Sequence, residues 1–342
     1  MLRRRAIERA MQEAAEWGLT SVQDSISNDQ DPTEWQYFLT YEQLENEVKL
    51  TVRVSEWLPF RAPVELLKEH RAHHPSSDAM LHTAMLKAYL DGSLGSRTAA
   101  LLAPYSDDAG NRGVLYWKAD EIQKLARDRV AAGFQLGFHA IGDASLEMAL
   151  DTFADAKQAE QHDSSETAAK TFRFRVEHVQ VANDSQIARM VQLGVVASVQ
   201  PCHLLTDMNW ARDRLGPERA KDSYPWANLL HRGVKLAFGT DYAVEPMNPF
   251  RGLYAAVTRK NEAGSAEYFP EQKLTIDQAI AAYTSGSAYA EFGEHTKGTL
   301  APGMLADFVV LDHDLTGVVP PEILSTRVLR TVVGGKTVFQ RR

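Results

Sequence analysis

Lys87, Asp91, His139, His178 and Asp241 stand at or near the ends of short apolar runs, in LKAYLD, FQLGFH, RVEHVQ and KLAFGTD. Two imidazoles and a carboxylate on separate strand ends, with a lysine on another, form a set that can bind a divalent metal, and imidazole suits zinc. Each residue also has a plainer reading. A strand-end histidine is commonly a hydrogen-bonded structural group. Lys87 can equally pair with Asp91 or Asp241, since a buried lysine needs a partner.

The element that must position these groups is a repeated unit of helix, glycine and strand. Ile7, Ala10, Met11 and Ala14 recur at helical spacing, Gly18 stops the helix, and a short apolar run follows. The unit returns as VAAG before FQLGFH (133–139), MVQLG before VVASVQP (194–201) and LLHRG before VKLAFGTD (233–241). Further runs at 48–54, 85–91 and 174–180 bring the predicted strands to seven, the others lying near 20–24, 134–140, 195–200 and 235–241. Short apolar strands alternating with helices predict βα units and a parallel sheet. Asp24, Asp91, His139, His178, Gln180, Gln200 and Asp241 close these runs. Such residues meet at one mouth if the sheet curls into a (β/α)₈ barrel, which favours a barrel over a doubly wound sheet. Beyond about residue 290 the pattern changes to hairpins, with Gly334-Gly335 as a two-residue turn. The expected division is a barrel over 1–292 and a small β appendage over 293–342.

Composition narrows the partners. The 342 residues carry 37 Lys+Arg against 45 Asp+Glu, a net charge of −8, and the basic residues are scattered. Nucleic acid is therefore not an expected partner. No apolar stretch approaches the roughly 18 residues of a spanning helix, and the Arg-rich start is interrupted by acids. A soluble cytoplasmic protein with a small-molecule substrate is expected, with homo-oligomerisation left open. Cys202, the sole cysteine, is expected to be a buried thiol. His70, His73 and His74 sit on a charged helix end beside Arg71 and Pro75, where a solvated face is expected and metal binding is the alternative reading. The stretch 154–170 is expected to be an exposed helix end and loop. Residues 92–97 and the surroundings of Trp210 and Trp226 are expected pocket walls, with Arg97 either orienting a substrate or forming a surface salt bridge.

The stretches LKAYLDGSLGSRTAAL, FHAIGDAS, RVEHVQ, GVVASVQPCH, LAFGTDYAVEPMNPF and KGTLAPGMLADFVVLD, in this order, closely resemble the amidohydrolase superfamily. The nearest branch is similar to the YtcJ-like proteins, which include N-substituted formamide deformylase. The resemblance implies an α/β fold, a metal-bearing (β/α)₈ TIM-type barrel with a small β-sandwich. It implies hydrolysis of amide-like, non-peptide C–N bonds by water that a divalent metal, zinc foremost, makes acidic. By the same resemblance Lys87 is a strand-end lysine that can be carboxylated to bridge metals, and His139 and His178 are metal ligands. Asp241 is both ligand and general base.

One departure matters. The family places a His-x-His pair at the end of its first barrel strand, and no such pair occurs in this sequence. The expectation is thus an N-terminally truncated member whose barrel lacks its first strand and whose sheet has an open edge. A catalytically impaired barrel with a binding role, or none, is the alternative function. A metal-free phosphate-binding barrel is a third, but neither QPCH (200–203) nor YAVEP (242–246) is the Gly-rich loop it would need.

Overall fold

The computed structural model describes residues 2–25, 35–162 and 172–342. Seven parallel strands lie in one sheet in sequence order: β1 (Ser21–Ser25), β2 (Arg53–Pro59), β3 (Leu81–Tyr89), β4 (Leu136–Ala140), β5 (Arg175–His178), β6 (Val196–Val199) and β7 (Leu236–Phe238). The connecting helices include α1 (Leu2–Glu16), α2 (Trp35–Asn46), α3 (Val64–His73), α4 (Ala119–Ala131), α5 (Asp143–His162) and α6 (Asp184–Leu193). The chain is therefore α/β with the curled parallel sheet of a TIM-type barrel.

Local chemistry explains the repeat. Gly18, Gly133, Gly194 and Gly233 all have positive φ, and a glycine adopts that conformation without a Cβ clash where a helix hands over to a strand. At the other end of α6, the Asn183 side chain accepts from the Gln186 backbone N–H, and the Gln186 side chain accepts from the Asn183 backbone N–H, forming a capping box.

The second strand begins at Arg53, later than the 48–54 read from the sequence. Val48 has a φ of 56°, and the Lys49 N–H donates to Leu44 O, so these residues close α2 instead. β7 ends three residues before Asp241, which has left-handed φ and cannot extend the ladder.

Among the described residues β1 and β7 are not paired with each other, and a helical segment seals the gap. A helix at Ile276–Ala281 passes into a π-helical turn at Ala282–Gly286. The Ser287 hydroxyl donates to Phe238 O of β7 at 2.9 Å, and the Gln23 amide of β1 donates to Ser287 O at 3.0 Å. This contact requires glycine at 286, where a Cβ would lie 2.1 Å from Leu236 O. Gly286→Ala is therefore expected to push the turn off the β7 edge. Denaturant unfolding should show a loss of about 1–3 kcal/mol, as for other overpacked sites, with faster amide exchange in β7. Unchanged stability would refute the edge-sealing role.

The C-terminal residues form a three-stranded antiparallel sheet from β8 (Phe308–Leu311), β9 (Val328–Val333) and β10 (Lys336–Gln340). Gly334 and Gly335, with φ of 56° and 77°, make the tight hairpin read from the sequence. This sheet is clamped to the barrel. The Thr331 hydroxyl donates to Ala15 O of α1, and Arg53 of β2 makes a two-pronged ion pair with Asp307 at 2.6 and 2.9 Å. Both charged groups are buried. No helix among the described residues is long and apolar enough to cross a membrane.

Candidate metal centre

The strand ends open on one cavity of about 1190 Å³, whose wall includes Lys87, His139, His178, His203 and Asp241. Lys87 comes from β3 and lies over the rings of Trp57 and Tyr89. His139 comes from β4 and His178 from the last position of β5, their rings 4.4 Å apart between centroids. Asp241 follows β7. His178 and Asp241 have φ of 81° and 57°. Two non-glycine residues in this region, beyond or at strand ends of one cavity, are the kind of backbone strain that clusters at functional sites.

One neighbour was not singled out as a ligand from the sequence. His203 follows Pro201-Cys202 just beyond β6, so a strand-end search extended three residues past Gln200 would have reached it. Its Nε2 lies 3.3 Å from Asp241 Oδ2, and the Gln180 amide nitrogen lies 3.2 Å from its Nδ1. Since that amide can only donate, Nδ1 is the acceptor and the N–H is on Nε2, facing Asp241. His178, His203 and Asp241 hold one nitrogen or oxygen each within 4.8 Å of one another.

Asp91 supports His139. The His139 Nε2–H donates to Gly92 O at 3.1 Å and lies 3.3 Å from Asp91 Oδ1, which leaves Nδ1 with its lone pair. Asp91 is itself held by the N–H groups of Ala100, Ile141 and Gly142 and by the Ser145 hydroxyl. It cannot turn away. Asp91→Asn would present an amide to these donors and release the imidazole. The expected result is a 10–100-fold weaker metal affinity, typical of lost outer-shell support, measured by chelator competition. An unchanged affinity would remove Asp91 from the centre.

The electrostatics sort the groups by role. Burial, reinforced by His139, holds His178 well below its ordinary pKa, so it is a neutral imidazole with a lone pair to offer. Burial pushes Lys87 down to about 8, against the opposing pull of Glu177 and Asp241. Burial disfavours the Asp241 carboxylate, but its contact with His203 outweighs this and holds the group below the usual carboxylate range. His203 is raised by Asp241 in spite of its burial.

Other sequence readings resolve differently. Ser93, Leu94, Gly95 and Trp210 line the cavity, whereas Trp226 is fully buried beneath Arg259. Arg97 pairs with Asp107 at 2.8 Å. Cys202 is buried, and burial pushes its thiol up to about 12. His73 is exposed as expected, but His70 and His74 are buried against Glu56. The stretch 154–170 is helical through His162, and its remainder lies outside the described residues.

The buried Nδ1 of His178 lacks a hydrogen-bond partner among the described residues. Together with the imidazole and carboxylate donor set, this fits a divalent cation.

The model of the amidohydrolase family matches residues 3–339. Protein LONG AFTER FAR-RED 3 of Arabidopsis thaliana is 32% identical over 98% of this chain and 57% of its own length. The putative amidohydrolase YtcJ of Bacillus subtilis is 32% identical over 75% of this chain and 47% of its own. The crystal structure of an uncharacterized metal-dependent hydrolase from Pyrococcus horikoshii OT3 superposes with a TM-score of 0.79 at 30% identity, over 92% of this chain and 60% of that one. The chain thus spans about half the length of these curated relatives. Because the family match runs through every strand and helix that frames the cavity, the chain belongs to the amidohydrolase family.

Proposed function

We propose that this chain is a divalent-metal hydrolase acting on amide-like, non-peptide C–N bonds of a small molecule. The observation that carries this reading is the gathering of Lys87, His139, His178 and Asp241 at one cavity. The putative amidohydrolase and the metal-dependent hydrolase among its relatives support it. We assign residues 1–292 to the barrel and 293–342 to part of a small β-sandwich, and place the protein in the cytoplasm.

His139 Nδ1, His178 and Asp241 would hold the cation, with zinc the best match to these donors. Carboxylation of Lys87 would add a fourth ligand. A bound divalent ion supplies Lewis acidity towards a carbonyl and acidifies water. The remaining steps belong to the protein. Asp241, ionised and reached from the cavity, accepts the proton of the attacking water and delivers it to the departing nitrogen. The His203 Nε2–H holds that carboxylate in place. Trp57, Tyr89 and Trp210 give the cavity apolar walls on which an uncharged substrate can rest.

Incubation of the protein with N-substituted formamides, simple amides and dipeptides tests the proposal. Hydrolysis of formamides or amides is expected, abolished by a chelator and restored by zinc. Cleavage of dipeptides alone would overturn the bond class, and activity indifferent to chelation would overturn the metal.

A further inference from the structure

We propose that Glu56, His70 and His74 form a second divalent-cation site, structural in role, between the sheet and its helical cover. It is separate from the cavity. Trp57 lines the cavity, so Glu56, its neighbour in β2, faces the opposite side of the sheet. Its companions on that face, Val54 and Leu58, are fully buried aliphatics, and Glu56 itself is 0% exposed. A carboxylate in such a layer needs a compensating positive group.

Helix α3 supplies His70, and its C-cap residue His74 follows one turn later, at i+4. His70 Nε2 and His74 Nδ1 lie 2.8 and 2.7 Å from the same Glu56 Oε2. Trp35 packs edge-on against His70 at 5.0 Å and Phe38 at 5.4 Å, so the ring cannot swing away. The His70 and His74 rings meet at 4.3 Å and 69°. One donor atom from each of the three residues lies within 4.8 Å of the other two. Two imidazoles and one carboxylate are a donor set for zinc and similar ions.

A second observation separates a cation from a shared proton. Glu56 Oε1 and His74 Nε2 are buried and have no hydrogen-bond partner among the described residues. Both nitrogens crowd one carboxylate oxygen while the other is left bare, and a cation held by both oxygens would satisfy Oε1. The surrounding charge is also negative. Glu42 and Glu45 face His74, and the Glu45 and Asp78 carboxyl groups meet each other. Arg71, on the same helix, is turned away to the carbonyls of Ala132 and Gly133.

The test uses the full chain with the cavity centre disabled, so that its outcome does not depend on the hydrolase proposal. His139→Ala/His178→Ala protein is loaded with Co²⁺, desalted and examined by elemental analysis and visible absorption. About one cobalt per chain is expected to remain, with the absorption of a nitrogen- and oxygen-ligated ion. Adding Glu56→Gln, or separately His74→Gln, should weaken retention at least tenfold. The two variants are independent, so one that does not fold leaves the other to decide, with circular dichroism as the check. Zinc should raise the melting temperature of the parent but not of these variants. No retained metal in the parent, or equal retention after both substitutions, overturns the proposal in favour of a plain hydrogen-bonded carboxylate–imidazole cluster.

Discussion

Asp241→Asn is expected to lower the kcat of amide hydrolysis by about 10²–10⁴-fold, the range for a lost general base, while leaving the fold intact. Asparagine has the shape of aspartate and tolerates positive φ, so the 57° backbone at this position is not disturbed. The side chain is 36% exposed to the cavity, and its removal leaves no unpaired charge in the core. What disappears is the negative charge, and with it both acceptance of a proton and an anionic ligand for the cation. Rates on a formamide substrate, with melting temperature as control, decide the matter. A variant within tenfold of the parent would show that proton transfer is handled elsewhere. His203→Gln should cost less, since His203 acts on Asp241 and not on the substrate.

The second large effect is on stability. Arg175 and Glu177 project from β5 into the curl of the sheet, 3% and 2% exposed. Arg175 Nε donates to Glu177 Oε1 at 2.6 Å, and Nη2 donates to Ser198 Oγ at 2.6 Å, while the guanidinium lies over Trp57 and reaches Gln23 of β1. Arg175→Met would leave the Glu177 carboxylate buried without its partner. Breaking a buried pair from one side costs about 3–5 kcal/mol, and replacing both members with apolar residues is often near neutral. Urea unfolding should therefore show a loss of that size for Arg175→Met and recovery of most of it in Arg175→Met/Glu177→Leu. A single variant within about 1 kcal/mol of the parent would mean that Lys87, which feels the Glu177 charge, has taken over the pairing.

Much of the architecture was legible because it is written locally. A helix that ends on glycine with a short apolar run behind it is decided by backbone sterics and burial within some fifteen residues, and Gly133, Gly194 and Gly233 each announce a strand. The hairpin at Gly334-Gly335 is equally local. Where local signals conflict, the reading slipped. Val48, Leu50 and Val52 alternate like a strand, yet 48 and 49 complete the cap of α2 and the ladder begins at Arg53.

The site shows the same division. The ionisable ends of β4, β5 and β7 could be picked out from type and position. That Asp91 braces His139 and that His203 faces Asp241 could not, because each contact spans a crossover connection. His70 and His74 read locally as a solvated helix end, since Arg71 and Pro75 flank them in the chain. Their partner, Glu56, lies in an otherwise apolar strand and is joined to them only when α3 folds back on β2.

By itself, then, the sequence determined the alternation of helix and strand, the parallel sheet and the residue types available at its mouth, because these follow from φ preferences and periodic burial. Tertiary structure decided which charges meet, which imidazole nitrogens keep lone pairs and how the gap between β1 and β7 is sealed. Those outcomes depend on distances between residues as far apart as Gln23 and Ser287, which no local energy term contains.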